Sequence, residues 1–152
     1  MTNDMLLQIA MGALGALGFA VWFNVRGLPL LAGMIGGALG WFVYLITGGA
    51  YPNDLQNYLY AAMAATLYSE ILARVMKMPV TVLLVPSIIP LIPGGSLYYT
   101  MAHAIAGDMA SFSSRGAYTL SIAGMIALGI MTMMMIMRLY SSVRHREAPG
   151  GR

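Results

Sequence analysis

The chain contains the segment Pro79-Val-Thr-Val-Leu-Leu-Val-Pro86-Ser-Ile-Ile-Pro90-Leu-Ile-Pro93-Gly94-Gly95-Ser96-Leu-Tyr98-Tyr99, inside an apolar run that extends from 79 to 106. A proline within a helix removes one backbone N–H and displaces the carbonyl four residues earlier. As one straight helix, residues 79 to 108 would measure about 45 Å, against a membrane hydrocarbon core of about 30 Å. The segment therefore predicts a helix broken at Pro93-Gly94-Gly95, with Ser96 as the N-cap of a second half-helix that runs to about Ala106.

Composition places this broken helix in a membrane. Hydrophobic residues make up 59% of the 152 residues and charged residues only 9%, whereas soluble domains carry about 25% charged residues. About 20 apolar residues cross a bilayer as a helix. The sequence has five apolar runs that approach or exceed this length, at 5–23, 28–47, 58–76, 79–106 and 116–140. We expect an all-α integral membrane protein with about five transmembrane helices, the fourth of them broken.

Charged residues orient this predicted topology. Short loops rich in Lys and Arg stay in the cytoplasm. Five crossings leave Arg115 on one side and place the other seven cationic residues opposite it: Arg26, Arg74, Lys77, Arg138, Arg144, Arg146 and Arg152. The N-terminal run lacks the positive region of a signal peptide and is expected to stay as a helix. We predict an N-terminus outside, a transmembrane domain over 1–140 and a basic cytoplasmic tail over 141–152.

The three inner prolines indicate an interior surface. Irregular backbone is tolerated at membrane depth only where protein or a water-filled cavity surrounds it, because lipid offers no hydrogen bonds. Pro86, Pro90 and Pro93 are therefore expected to face an internal path rather than acyl chains.

The start of the second half-helix is a candidate anion site. Free N–H groups and the helix dipole favour negative charge at a helix N-terminus. A carboxylate is expected to bind near Ser96, Leu97 and Tyr98, directly after the break at Gly94 and Gly95, with hydroxyl donors from Tyr98 and Tyr99. The alternative is a structural kink near the outer interface, with both tyrosines in the aromatic belt of the membrane.

Glu70 is the one acid predicted to lie well inside an apolar run, where ionisable residues are costly and often functional. It is a candidate proton carrier, since a carboxyl in low dielectric shifts toward its neutral form. Arg74 lies one helical turn later, so a simple i to i+4 ion pair is the competing interpretation. His103 is a further candidate for proton transfer, although a hydrogen-bonded polar residue is the commoner role. Asn24 ends the first helix and either caps it or binds a ligand, with capping favoured.

Small residues predict close helix contacts. Gly12, Gly15 and Gly18 recur on the first helix, and two G-x-x-x-G spacings overlap on the second, at Gly33, Gly36, Gly37 and Gly40. Such spacings let helix backbones approach one another in membranes. Packing within the chain is the favoured interpretation, and contact between subunits of a homo-oligomer is the alternative.

Several function classes are disfavoured. The chain has no cysteine, so thiolate metal sites and cysteine nucleophiles are excluded, and it has no motif of a serine hydrolase, zinc protease or P-loop ATPase. The scattered basic residues do not form a nucleic-acid-binding stripe. Five methionines suggest a copper site but are interpreted as apolar packing: Met131, Met133, Met134, Met135 and Met137. We therefore expect no enzyme activity, cofactor, metal or nucleic-acid partner.

Three motifs together resemble the threonine/serine exporter family. They are Gly18-Phe-Ala-Val-Trp-Phe-Asn24-Val, Glu70-x-x-Ala73-Arg74, and Pro79-x-Thr81 through Pro86-x-x-x-Pro90-Leu-Ile-Pro93-Gly94-Gly95-x-x-Tyr98. The similarity covers almost the whole chain, and the P-x-x-P-G-G element is its distinctive part. The chain most resembles the small membrane subunit of the split, two-protein form of the family.

The resemblance implies an exporter in the bacterial inner membrane, driven by the proton gradient. Its substrates would be small carboxylates, either amino acids such as threonine and serine or dicarboxylates such as succinate. A larger membrane subunit is the implied partner. Two alternatives stay open at this point: a structural subunit that stabilises the larger partner without transporting, and a passive channel.

Overall fold

The computed structural model describes residues 2–50 and 54–146, and this part of the chain is built from helices without a strand. This confirms the predicted all-α class. The elements in chain order are α1 (Thr2–Trp22), α2 (Leu28–Ala50), α3 (Asp54–Met76), α4 (Thr81–Ile88), a 3₁₀ turn (Ile89–Leu91), α5 (Gly94–Ile105) and α6 (Met109–Arg146).

Three helices of the described chain are long and apolar enough to cross a membrane, within Asn3–Trp22, Leu28–Gly49 and Met109–Ser142. A fourth span arises if the bent pair Thr81–Leu91 and Gly94–Ile105 is counted as one. Helix α3 has 23 residues and so measures about 34 Å, long enough to span, but it is less apolar than the others. The prediction of five crossings is therefore approximate, because it counts α3.

Helix α2 packs against α1, α3 and α4. Four of its glycines, Gly33, Gly36, Gly37 and Gly40, are buried within the chain. At Gly36 the backbone approaches α4 so closely that an added Cβ would overlap the hydroxyl of Ser87 and lie 2.9 Å from its Cβ. The prediction of packing within the chain is thus confirmed for α2. On α1, by contrast, Gly15 and Gly18 have no neighbour within 4 Å of an added Cβ.

Helix α6 runs parallel to α3, and two hydrogen bonds join the two helices, one near each end of α3. The Tyr118 hydroxyl donates to Asp54 Oδ2 at 3.3 Å, and Arg74 Nη2 donates to the Met137 carbonyl at 3.2 Å. The rise from 118 to 137 is about 29 Å, which matches the thickness of the hydrocarbon core. This stretch of α6 is therefore the part that fits the membrane, and the remainder of its 38 residues extends beyond at both ends.

The two ends of the helix bundle carry different charges. The loop after α1, which contains Arg26, lies beside the start of α4, so Arg26, Arg74 and Lys77 share one end of the molecule. Asp54 and Arg115 belong to the opposite end. This grouping agrees with the charge pattern used for the topology, while the orientation itself stays a prediction. Helix α6 continues to Arg146, and the last residues of the predicted tail, 147–152, lie outside the described residues.

The closest contact between α3 and α6 supplies a stability prediction. A Cβ added at Gly129 would lie 2.7 Å from the Leu59 carbonyl and 2.9 Å from Ala62 Cβ. Because a backbone carbonyl cannot rotate away, Gly129→Ala should separate the helices and lower the free energy of unfolding by about 1–3 kcal/mol. Thermal unfolding of the purified protein in detergent measures this effect.

Gly124→Ala is the matched control on the same helix, since an added Cβ there meets nothing within 4 Å. Alanine has the higher helix propensity, so this variant should melt at the wild-type temperature or slightly above it. Equal melting temperatures for the two variants would contradict the proposed close approach.

Candidate functional site

The broken helix is present. Helix α4 ends at Ile88, the 3₁₀ turn follows, and α5 begins at Gly94 with its axis bent by 56° from the preceding segment. The expectation that Ser96 is the N-cap is wrong, because Pro93 occupies the cap position and no side chain caps the helix. A proline lacks the N–H and is tolerated at a helix start, so the helix begins directly after Pro93.

The two halves of the break differ in burial. Pro86, Ser87 and Leu91 are fully buried, and Pro86 packs on Gly33 of α2. The Ser87 hydroxyl donates to the Leu83 carbonyl at 2.7 Å. Farther along, Ile92 is 50% exposed in the single chain. The first half is thus sheltered by α1 and α2, whereas the segment at the bend lies at the surface. That Pro86 faces an internal path stays a prediction.

The first turn of α5 leaves two donors free. The first regular helical bond runs from Leu97 N–H to the Pro93 carbonyl at 3.0 Å, and Gly94 N–H reaches the Ile92 carbonyl at 2.7 Å. Within the described residues, the N–H groups of Gly95 and Ser96 have no acceptor. Both point along the helix axis toward the bend, where the helix dipole adds partial positive charge.

A chain of hydroxyl groups holds this turn on α6. Ser96 Oγ lies 2.6 Å from Thr119 Oγ1, and Thr119 Oγ1 donates to the Arg115 carbonyl at 2.8 Å. Because the single hydroxyl proton of Thr119 is donated to the Arg115 carbonyl, Ser96 is the donor in its bond with Thr119. Thr100 adds a bond from its hydroxyl to the Ser96 carbonyl at 2.8 Å. Thr100 and Thr119 are 4% and 5% exposed, so this contact is shielded from competing partners.

Sequence reasoning missed Thr100 and Thr119. The one available signal was the i to i+4 spacing of Ser96 and Thr100, which places two hydroxyl groups on one face of α5. Their partner on α6 is 19 residues farther along the chain than Thr100, and no local pattern links the two.

Arg115 brings positive charge to the same region. Its guanidinium carbon lies 5.6 Å from the centroid of the Tyr99 ring, a distance suited to a cation–π contact. Tyr98 and Tyr99 pack edge to face with centroids 5.4 Å apart, and Tyr98 is 70% exposed. Tyr98 and Tyr99, the two predicted hydroxyl donors, are therefore close together, and the Arg115 guanidinium contacts the second of them.

The bend lies near one boundary of the membrane-sized stretch rather than at its centre. Ser96 contacts Thr119, which directly follows Tyr118, the residue that bonds Asp54 at the N-terminal end of α3. The kink alternative also assumed a position near one membrane boundary, on the side that the charge pattern predicts to be outside. The free N–H groups accordingly lie where a path would open on the predicted outside.

Glu70 and Arg74 form the predicted ion pair, with Oε2 and Nη2 separated by 3.2 Å. The Glu70 side chain is 13% exposed and that of Arg74 42%. This favours the ion-pair interpretation, and a proton-carrying role stays a prediction. His103 is elsewhere: its Nδ1 lies 3.4 Å from Asp108 Oδ2, at the opposite end of the bundle from Glu70. The structure does not bring the proton-coupling candidates together.

Asn24 has a structural role, as the favoured interpretation expected. Its φ of 58° is a left-handed conformation that ends α1, and Val25 N–H bonds the Ala20 carbonyl at 2.9 Å, as in a helix C-terminal turn. Arg26 Nε donates to Asn24 Oδ1 at 3.0 Å. Asn24 also borders a cavity of about 350 Å³ that reaches Pro86.

A family model described as "Threonine/Serine exporter, ThrE" matches residues 8–136. The chain belongs to the threonine/serine exporter family. Searches of curated proteins and of solved structures found no match. Membership supports an exporter role in a membrane, and the matched range contains the broken helix, Glu70, Arg74 and Asn24.

Asp108, in the loop between α5 and α6, provides a pH prediction. The hydroxyl and the backbone N–H of Ser111 both bond its carboxylate, and these bonds lower its pKa below the usual 3.8. A lowered folded-state pKa adds stability that is complete above the unfolded pKa and is lost as pH falls through the folded value. Asn caps helices about as well as Asp, so Asp108→Asn removes mainly the charge.

We expect wild type to melt above Asp108→Asn near neutral pH, and the gap to close as pH falls below about 3.8. Melting temperatures measured in detergent between pH 3 and 7 test this. A gap that persists unchanged at the acid end would contradict it.

Proposed function

We propose that the chain is a subunit of a proton-coupled secondary exporter of small carboxylates in the bacterial inner membrane. The substrates are threonine- or serine-type amino acids or dicarboxylates such as succinate. Family membership supports the exporter role. The cations gathered at one end of the bundle support an N-terminus outside and a C-terminus in the cytoplasm.

The start of α5 carries the proposal. Gly95 and Ser96 have free N–H groups. The hydrogen bond from Ser96 to Thr119 holds these groups near the part of α6 that contains Arg115. A carboxylate that accepts both N–H bonds gains charge-assisted hydrogen bonds worth about 1.5–3 kcal/mol each. Because α6 already holds the donors in place, binding needs little reordering of the backbone. This arrangement suits an exit site for the substrate carboxylate.

The exposed bend also supports a partner. In the single chain, Ile92 is half exposed and Gly94 and Gly95 are exposed, although unpaired N–H groups facing lipid are costly. We propose that a larger exporter-family subunit covers this surface and completes the path. A homo-oligomer is the other arrangement that would shelter it.

A structural role is the second candidate function. Pro86 packs near Gly33 of α2, and Pro90 packs near Gly37 of α2 and Gly12 of α1. This tight contact favours a rigid scaffold. In this role, the broken helix only packs against a partner subunit, and the partner contains the complete substrate-binding site. A passive channel would instead show flux without dependence on a proton gradient.

Gly95→Pro tests the exit site directly. Proline removes the Gly95 N–H, which makes no hydrogen bond within the described residues, so no existing bond is lost. Loss of one charge-assisted bond should raise the KM for export by about tenfold or more. The measurement is efflux of labelled threonine, serine and succinate from vesicles loaded with each, with and without a pH gradient.

Gly95→Ala is the matched control because it retains the N–H and its Cβ would meet nothing within 4 Å. It should export like wild type. If Gly95→Pro inserts normally and shows wild-type KM for all three substrates, the carboxylate does not bind there. Loss of subunit assembly alone, with unchanged KM, would favour the scaffold.

Proton coupling is tested at Glu70, the one acid inside the membrane-sized part of α3. Glu70→Gln preserves the side-chain shape but cannot release or take up a proton. At saturating substrate, this variant should lose the stimulation of export by a pH gradient while still inserting in the membrane. Export that follows the pH gradient as in wild type would exclude Glu70 as the coupling group.

A further inference from the structure

A second charged region lies at the other end of the broken span. A cleft of about 380 Å³ is lined by Glu70, Arg74 and Lys77 and by the backbone that leads into α4 at Pro79 and Val80. This volume is within the range of small-molecule sites. The cleft is on the end of the bundle that the charge pattern predicts to be cytoplasmic.

The cleft holds two cations and one anion. Glu70 Oε2 pairs with Arg74 Nη2 at 3.2 Å, and the same nitrogen bonds the Met137 carbonyl of α6. Glu70 Oε1 and the remaining Arg74 nitrogens make no hydrogen bond within the described residues, and Lys77 makes no ion pair there. The cleft therefore retains unused donors and one unused carboxylate oxygen.

Lys77 is held at this position by its backbone. Its φ of 53° is a left-handed conformation that is uncommon for a residue with a side chain. It ends α3 with bonds from Lys77 N–H to the Arg74 carbonyl at 3.3 Å and from Met78 N–H to the Ala73 carbonyl at 3.0 Å. This turn keeps the lysine in the lining of the cleft, next to Arg74.

We propose that this cleft is the cytoplasmic loading site for a zwitterionic α-amino acid. Glu70 binds the substrate ammonium, and Arg74 with Lys77 binds its carboxylate. A dicarboxylate satisfies the cations but brings a second negative charge toward Glu70, so the charge set selects amino acids over dicarboxylates. The inference rests on the proposed exporter function and adds to it a binding site at the predicted cytoplasmic end, with a role for each charged side chain.

The loading site and the exit site are separate. Helix α4 and the 3₁₀ turn lie between them, and their combined rise is about 18 Å. One substrate cannot contact both at once, so each end can be tested without the other.

The first test uses wild-type protein, as the full chain in lipid nanodiscs. Phenylglyoxal modifies accessible arginines, and mass spectrometry reports the rate at each one. Saturating L-threonine should slow modification of Arg74 several-fold and leave Arg138 unchanged. Arg138 is exposed on α6 and does not line the cleft. Equal rates at Arg74 with and without threonine would overturn the proposal.

The second test assigns the ammonium contact. Labelled L-threonine and labelled 3-hydroxybutyrate, which lacks the ammonium group, are bound separately to each variant. Glu70→Gln should weaken threonine binding by about tenfold to a hundredfold and leave 3-hydroxybutyrate unchanged or tighter. Lys77→Gln should weaken both ligands, and the control Arg138→Gln neither. Equal weakening of both ligands in Glu70→Gln would remove Glu70 from the ammonium site.

The outcomes also separate the two proposals. If Glu70→Gln protein does not fold, Glu70→Asp retains the charge for the binding test, and arginine protection needs no variant. Absent protection together with normal threonine efflux overturns the loading site and leaves the exporter in place. Vesicles that contain the wild-type chain together with its larger partner subunit and still move no carboxylate overturn the exporter, whatever the cleft binds.

Discussion

The fold depends on one constraint: every main-chain N–H and C=O group near lipid needs a partner, because hydrocarbon supplies none. Helices satisfy this internally over most of the described chain. At Pro93 the chain cannot, since proline interrupts the ladder and the new helix begins with unpaired donors at Gly95 and Ser96. Two neighbouring contacts stabilise this interrupted backbone. The hydrogen-bonded hydroxyl groups of Ser96 and Thr119 hold the turn on α6, and Arg115 supplies positive charge nearby.

Close packing of small residues determines where the interruption lies. Gly36 allows α4 to approach α2 until Ser87 fills the space of a side chain, and Gly129 does the same between α3 and α6. In a membrane these contacts gain dispersion energy and shape specificity rather than a hydrophobic driving force. They hold the buried half of the broken span, α4 and the 3₁₀ turn, in place. The bend therefore lies at the end of the bundle that contains Asp54, and the start of α4 lies at the opposite end, beside Glu70 and Arg74.

The sequence predicted the features that depend on chain-local physics. Proline and glycine spacing predicted the broken fourth span, the i to i+4 spacing predicted the Glu70 and Arg74 pair, and Asn24 was expected to end α1. Two predictions that depended on the position of a residue distant in sequence do not agree with the structure. Ser96 is not the N-cap that the sequence predicts, because the helix begins directly after Pro93 and the Ser96 hydroxyl bonds Thr119 of α6 instead. His103 was grouped with Glu70 by chemical type, although the two lie at opposite ends of the bundle.

The sequence by itself determined that this is an all-α membrane protein with a proline-broken span, because apolar run length, glycine and proline act on the backbone wherever the chain goes. Only the tertiary structure decided which groups share a site. Thr119 meets Ser96, and Lys77 lines one cleft with Glu70 and Arg74. These contacts depend on how whole helices pack and on the left-handed backbone at Lys77. Neither of these leaves a periodic pattern in the sequence.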